Sequence, residues 1–227
     1  MSRTRALPRL LSALLVLAAP RIAGAEVDAQ AWAQIIAQGP LGGPLRGYAE
    51  AQLRLNELDR GTEVQALLLR PAIGIALPRG FTVHAGFAWT PTFHPRFNDE
   101  QRPWQQLAHT ASLGPITFTN RFRVEERILE NVDFVALRLR HMVRALWMPP
   151  GSSVGVVAWD EVFLEASPPG PGIRGGFAQN RVGVGAQLRP MKALWLEPTF
   201  VIQSIDRGGA GATRVGPTGL LLVWINL

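Results

Sequence analysis

The chain has 227 residues, 47% hydrophobic and 18% charged, with 23 Lys+Arg against 17 Asp+Glu and no cysteine. The missing cysteines exclude disulfide scaffolds and Cys-ligated metal sites, and they fit an exported protein that does not depend on disulfides. The formal charge of +6 does not mark a nucleic-acid-binding surface, which needs basic residues clustered on one exposed face.

The N-terminus reads as a secretory signal peptide, residues 1–25. Arg3, Arg5 and Arg9 form a basic start, and an apolar run extends from Leu10 to Ala19. Ala23-Gly24-Ala25 supplies a small-x-small cleavage site before Glu26. The apolar run is too short to span a bilayer as a helix. Its removal takes Arg3, Arg5, Arg9 and Arg21 with it and leaves 19 basic against 17 acidic residues, a charge of +2. About 202 residues remain, enough for one sizeable domain. Residues 26–43 read as an N-terminal periplasmic or lumenal segment, and 44–227 as the folded domain.

From residue 44 onward, short stretches alternate one apolar with one polar residue. In a strand, successive side chains point to opposite faces, so each stretch has one apolar and one charged face. Strands are expected at 44–56, 64–77, 81–93, 101–113, 116–129, 133–148, 153–166, 177–189, 193–205 and 214–227. Each is long enough for a tilted membrane strand, which needs about 9–11 residues.

The connections alternate in kind. Pro78-Arg79-Gly80, Gly114-Pro115, Pro149-Pro150-Gly151 and Pro190-Met191-Lys192 are short. Residues 57–63, 94–100, 167–176 and 206–213 are longer and wetter, and only 130–132 is brief on that side. Short turns at one end and long loops at the other are the pattern of outer-membrane barrels. The fold expected is all-β, an antiparallel up-and-down transmembrane barrel of about ten strands, with twelve as the alternative.

One parity is apolar and is expected to face lipid. Leu67, Leu69, Ile73 and Ile75 belong to it, as do Phe118, Phe122, Val124 and Ile128, and later Val182, Val184, Phe200 and Ile202. The other parity collects a charge ladder: Arg46, Glu50, Arg54, Arg70, Arg102, Arg121, Arg123, Glu125, Arg127, Arg138, Arg140, Arg144, Glu161, Arg181 and Glu197. An arginine facing lipid at the bilayer midplane costs about 2–4 kcal/mol, so this many arginines are expected to face a net-positive lumen. Glu126, His141 and Asp160 fall on the lipid parity, and Pro71, Pro103 and Pro198 interrupt strands. Trp89, Trp104, Trp147, Trp159, Trp195 and Trp224 are expected at a girdle or at the lumen mouth.

Several stretches form one ordered series: Arg102-Pro103-Trp104-Gln105-Gln106, Asn120 to Arg127, Arg138-Leu139-Arg140, Asp160-Glu161-Val162-Phe163 and Asn180-Arg181-Val182-Gly183. This series resembles the bacterial domain-of-unknown-function family DUF2490 of exported outer-membrane β-barrel proteins, from Trp32 to the last strand. The resemblance implies a barrel and an outer-membrane address, and no established activity. The chain ends Trp224-Ile225-Asn226-Leu227, without the final aromatic usual in outer-membrane strands.

No catalytic or metal-binding motif stands in its working context: Gly151-Ser152-Ser153-Val154-Gly155 has the G-x-S-x-G spacing but falls at a turn between two expected strands rather than in a strand–turn–helix elbow, and there is no H-E-x-x-H or phosphate loop. His94 with Asp99 and Glu100 is the best rim candidate for an enzyme, and no cofactor is implied. Three functions are open at this point. The first is a small closed barrel whose Arg–Glu ladder is structural, as a barrel of this size leaves little free lumen. The second is a narrow anion-preferring porin passing small anions or solutes. The third is a lipid-acting enzyme at the extracellular rim. The expected address is the outer membrane of a Gram-negative bacterium, reached through the general secretion pathway. The expected partners are outer-membrane lipids, lipopolysaccharide and the general barrel-assembly machinery, with no nucleic acid.

Overall fold

A computed structural model describes residues 29–58, 61–94, 96–130, 132–167, 175–206 and 214–227. The signal peptide and most of two of the expected loops, 167–176 and 206–213, lie outside the described residues. Eleven strands are described: β1 Gln30–Gly42, β2 Leu45–Leu58, β3 Gly61–Ala76, β4 Phe81–Trp89, β5 Glu100–Leu113, β6 Ile116–Leu129, β7 Ala136–Trp147, β8 Val154–Glu165, β9 Gly176–Leu188, β10 Leu194–Ile205 and β11 Arg214–Asn226. They form one closed barrel in which each strand pairs with its neighbours in sequence and β1 pairs with β11. Closure matters because it leaves no unpaired sheet edge.

The count of eleven lies between the expected ten and the alternative of twelve. Residues 30–42 are a wall strand, not a segment outside the wall. Gln30 to Gln38 pair parallel with Thr218 to Asn226, and the same strand pairs antiparallel with β2. A closed sheet with an odd number of strands needs one parallel pair, and β1–β11 is that seam. Every other neighbouring pair is antiparallel. The start of β1 and the end of β11 therefore lie at opposite ends of the barrel.

Boundaries shift modestly elsewhere. The loop expected at 57–63 is tighter, because Glu57 pairs with Thr62 and Leu58 with Gly61. The strand expected at 81–93 ends at Trp89, after which Thr92 bridges to Ala66 and to Asn98. At the opposite end the turns are short. The Pro78–Gly80 turn is a single 3-10 turn, with Arg79 at φ 61 and Gly80 at φ 80. Glycine accepts that left-handed backbone without strain.

Each proline that breaks the strand pattern faces a gap in one ladder. Pairing skips past Pro71 between β3 and β4, past Pro103 between β5 and β6, and past Pro198 between β9 and β10. A residue without an N–H is tolerated where no partner claims one.

The outer face is apolar along the strands. Ile73, Phe122, Val184 and Ile202 all point outward and are exposed, Ile73 at 62%. The three polar outliers are outside as well. His141 Nε2 lies 2.9 Å from Asn120 Oδ1, and Asn180 donates to both carboxylate oxygens of Asp160 at 3.1 Å.

Candidate functional site

Alternation carries the charge ladder into the lumen. Glu50, Arg70, Arg102, Arg123, Glu125, Arg127, Arg140, Glu161, Arg181 and Glu197 are buried, and Arg54, Arg121, Arg138 and Arg144 are partly buried. Arg46 sits at the turn-end rim and donates to the carbonyls of Gly43 and Leu45.

At the loop end, β5 to β8 fill the lumen with ion pairs. Glu125, 1% exposed, accepts from Arg140 Nη1 at 2.6 Å. Guanidinium nitrogens of Arg123, Arg70 and Arg102 stand 3.6, 3.7 and 3.9 Å away. Glu100 accepts from Arg102 at 2.6 and 2.7 Å and from Arg127 at 2.5 Å. Glu165 accepts from Arg127 at 2.8 Å and from Arg138 Nε at 2.6 Å. A buried charge is tolerable when it is paired, and here each carboxylate meets two or more guanidinium groups. Glu100 and Glu165 were not among the residues the sequence assigned to the ladder. Glu100 shares parity with Arg102 across the start of β5, and Glu165 with Glu161 across β8, which is the signal that could have found them.

A second layer crosses the lumen beside this network. The guanidinium carbon of Arg54 lies 4.5 Å from the Trp32 ring centroid, and that of Arg181 lies 4.8 Å from it. Arg181 also lies 4.6 Å from Phe163, whose ring meets Arg140 at 4.5 Å. Arg54, Trp32, Arg181, Phe163 and Arg140 thus alternate cation and ring. Among the described residues Arg54 and Arg181 have no carboxylate within salt-bridge distance; ring faces and glutamines hold them instead. Arg54 donates to Gln52, and Arg181 donates to Gln203 and Gln179. Such contacts contribute about 0.5–2 kcal/mol each.

Toward the turn end the lumen opens into a cavity of about 480 Å³. Nearest the turns its inward positions on β4 to β6 are small, Thr82, Ala108, Thr110, Thr117 and Thr119, whereas deeper on the same strands His84, Gln106, Arg121 and Arg123 line it. Across from them the lumenal face of β1, β10 and β11 carries an apolar cluster among polar positions such as Gln34, Gln38 and Glu197. Trp32, Ile36, Val201, Leu220 and Leu222 form a buried cluster, with Tyr48, Trp159 and Trp224 packed against it. Trp159 lies flat on Gly183, where a Cβ would come within 2.3 Å of the indole. Ion pairs line the chamber: Arg121 with Glu161 at 2.6 Å and Arg144 with Glu197 at 2.7 Å, and deeper Arg140 with Glu161 at 2.7 Å and Arg70 with Glu50 at 2.8 Å. At its mouth Arg189 stacks on Trp195 at 4.3 Å and donates to Gln187.

The tryptophans divide accordingly. Trp89 and Trp147 point outward at opposite ends, whereas Trp104, Trp159, Trp195 and Trp224 point inward, away from any outer girdle. The rim candidate for catalysis does not assemble. His94 Nδ1 lies 3.0 Å from Glu63, Asp99 accepts from Trp89 Nε1 at 2.6 Å, and Glu100 faces the lumen. Among the described residues no group of three or more His, Cys, Asp or Glu could hold a metal.

No curated protein matches the chain. The model of a family described as a protein of unknown function, DUF2490, matches residues 29–214. That match covers ten of the eleven strands in full and reaches the first residue of the last, and the chain belongs to the DUF2490 family.

Proposed function

We propose that the protein is an outer-membrane β-barrel of a Gram-negative envelope whose lumen is closed to through-passage. The reading takes the signal peptide as its route of export, the general assembly machinery as its means of insertion, and membrane lipids and lipopolysaccharide as its surroundings. The apolar outer face supports the membrane address, since so large an exposed apolar surface in water needs a partner of equal extent. The observation that carries closure is Glu125, buried among four guanidinium groups, with Glu100 and Glu165 filling the rest of that level. A charged ring that selects ions must leave a continuous water path; this network leaves its members buried.

The test is to fold the mature chain into lipid vesicles and then record from planar bilayers with a salt gradient. Heat-modifiable gel mobility and protease protection report insertion. The reading expects an inserted barrel without discrete current steps. Stable anion-selective steps from the inserted protein would replace it with the narrow-porin reading.

A further inference from the structure

The turn-end chamber has a chemical asymmetry that a purely structural lumen does not need. One wall carries an apolar row, Leu220, Leu222 and Trp224 of β11, with Ile36 beside it between Gln34 and Gln38. The mouth is cationic. Arg144 and Arg189 face it with one carboxylate between them, Glu197, and Glu197 is shared with Gln187 at 2.9 Å. Buried donors at this end, Arg144 Nε and Trp224 Nε1 among them, have no acceptor among the described residues. Glu197 pairs in register with Leu222, and Trp195 with Trp224, so the cationic mouth and the apolar row adjoin.

We infer that this chamber binds a single-chain amphiphilic anion, an acyl chain bearing a carboxylate. The head lies at the mouth against Arg144 and Arg189, and the chain lies along Leu222, Leu220 and Ile36. The size agrees. A cavity of about 480 Å³ falls in the usual range of about 300–1,000 Å³ for small-molecule sites. This inference goes beyond the closed-barrel reading and stands on the chamber alone, whichever compartment it faces.

The test uses the folded mature chain in a non-ionic detergent, with dibrominated stearate as a quencher of the lumenal indoles. Expected is saturable quenching by the acid, with binding at least tenfold weaker for the dibrominated alcohol of the same chain length. The double variant Arg144→Gln/Arg189→Gln should weaken binding of the acid about tenfold and leave the alcohol unchanged. Ala108→Phe, which fills the chamber from the opposite wall, should abolish saturable quenching. Equal, non-saturable quenching by acid and alcohol in the wild-type protein would overturn the assignment, whatever the fate of the variants. So would unchanged saturable binding of the acid in variants that keep native gel mobility.

Discussion

At the loop end, the inward positions of β5 and β6 carry Glu100, Arg102, Trp104, Glu125 and Arg127. At the turn end, the inward positions of the same two strands carry Ala108, Thr110, Thr117 and Thr119. Backbone, register and alternation are continuous from one half to the other. Side-chain volume and charge are what differ, and they make one half a plug and the other a chamber. Alternation decides which residues face inward; the size of those residues decides whether the inside is full.

This comparison can be broken or sharpened by substitution. The largest effect is expected for Glu125→Ala, which takes one carboxylate from four buried guanidinium groups and leaves Arg123, among the described residues, with no other within salt-bridge distance. Removing one partner of a buried charge cluster costs about 3–5 kcal/mol, and the unfolding temperature read from heat-modifiable mobility should fall by about 10 °C. An unchanged temperature would mean that water already reaches the plug.

Next is Phe122→Arg, at the middle of β6 on the outer face. If that face meets the bilayer core, the cost is about 2–4 kcal/mol, read as a lower folded fraction in vesicles under urea. A cost near zero would remove the membrane from the account.

Glu197→Ala removes the chamber's counterpart of Glu125. Arg144 is left beside the cavity rather than inside a packed network, and its side chain is 13% exposed. The expected loss is smaller, about 2 kcal/mol, the range for one hydrogen bond to a charged group. A loss equal to that of Glu125→Ala would erase the distinction between the two halves. The smallest effect belongs to Thr119→Leu, which adds volume where the lumen is empty. Stability should stay within about 0.5 kcal/mol of wild type, and a larger loss would show the chamber wall to be tightly packed.

Much of this was legible in the sequence, and the exceptions have physical causes. The strand 116–129 is read at its observed bounds because Arg121, Arg123, Glu125 and Arg127 contrast sharply with Phe118, Phe122 and Ile128. In β1 the contrast is weak. Trp32 and Ile36 face inward, while small alanines 31, 33 and 37 face outward, so polarity does not announce a wall strand. Antiparallel closure also argued against an odd strand, and a parallel seam is invisible to a rule about neighbours in sequence. Glu100 reads from the sequence as the end of a loop, because a strand's first residue follows no pattern of its own. The apolar lumenal sector of β1, β10 and β11 was hidden for another reason: Leu220 and Leu222 alternate with Leu221 and Val223, so both faces of β11 read alike. The cation–ring stack joins five strands and depends on closure, which no local pattern encodes.

The most direct test of a lumen plugged at one end and open at the other uses the chain's lack of cysteine. Thr119→Cys places one thiol in the chamber, and a membrane-impermeant thiol reagent can be added to either side of oriented proteoliposomes. The account predicts modification from the turn side and protection from the loop side. Equal modification from both sides would contradict it.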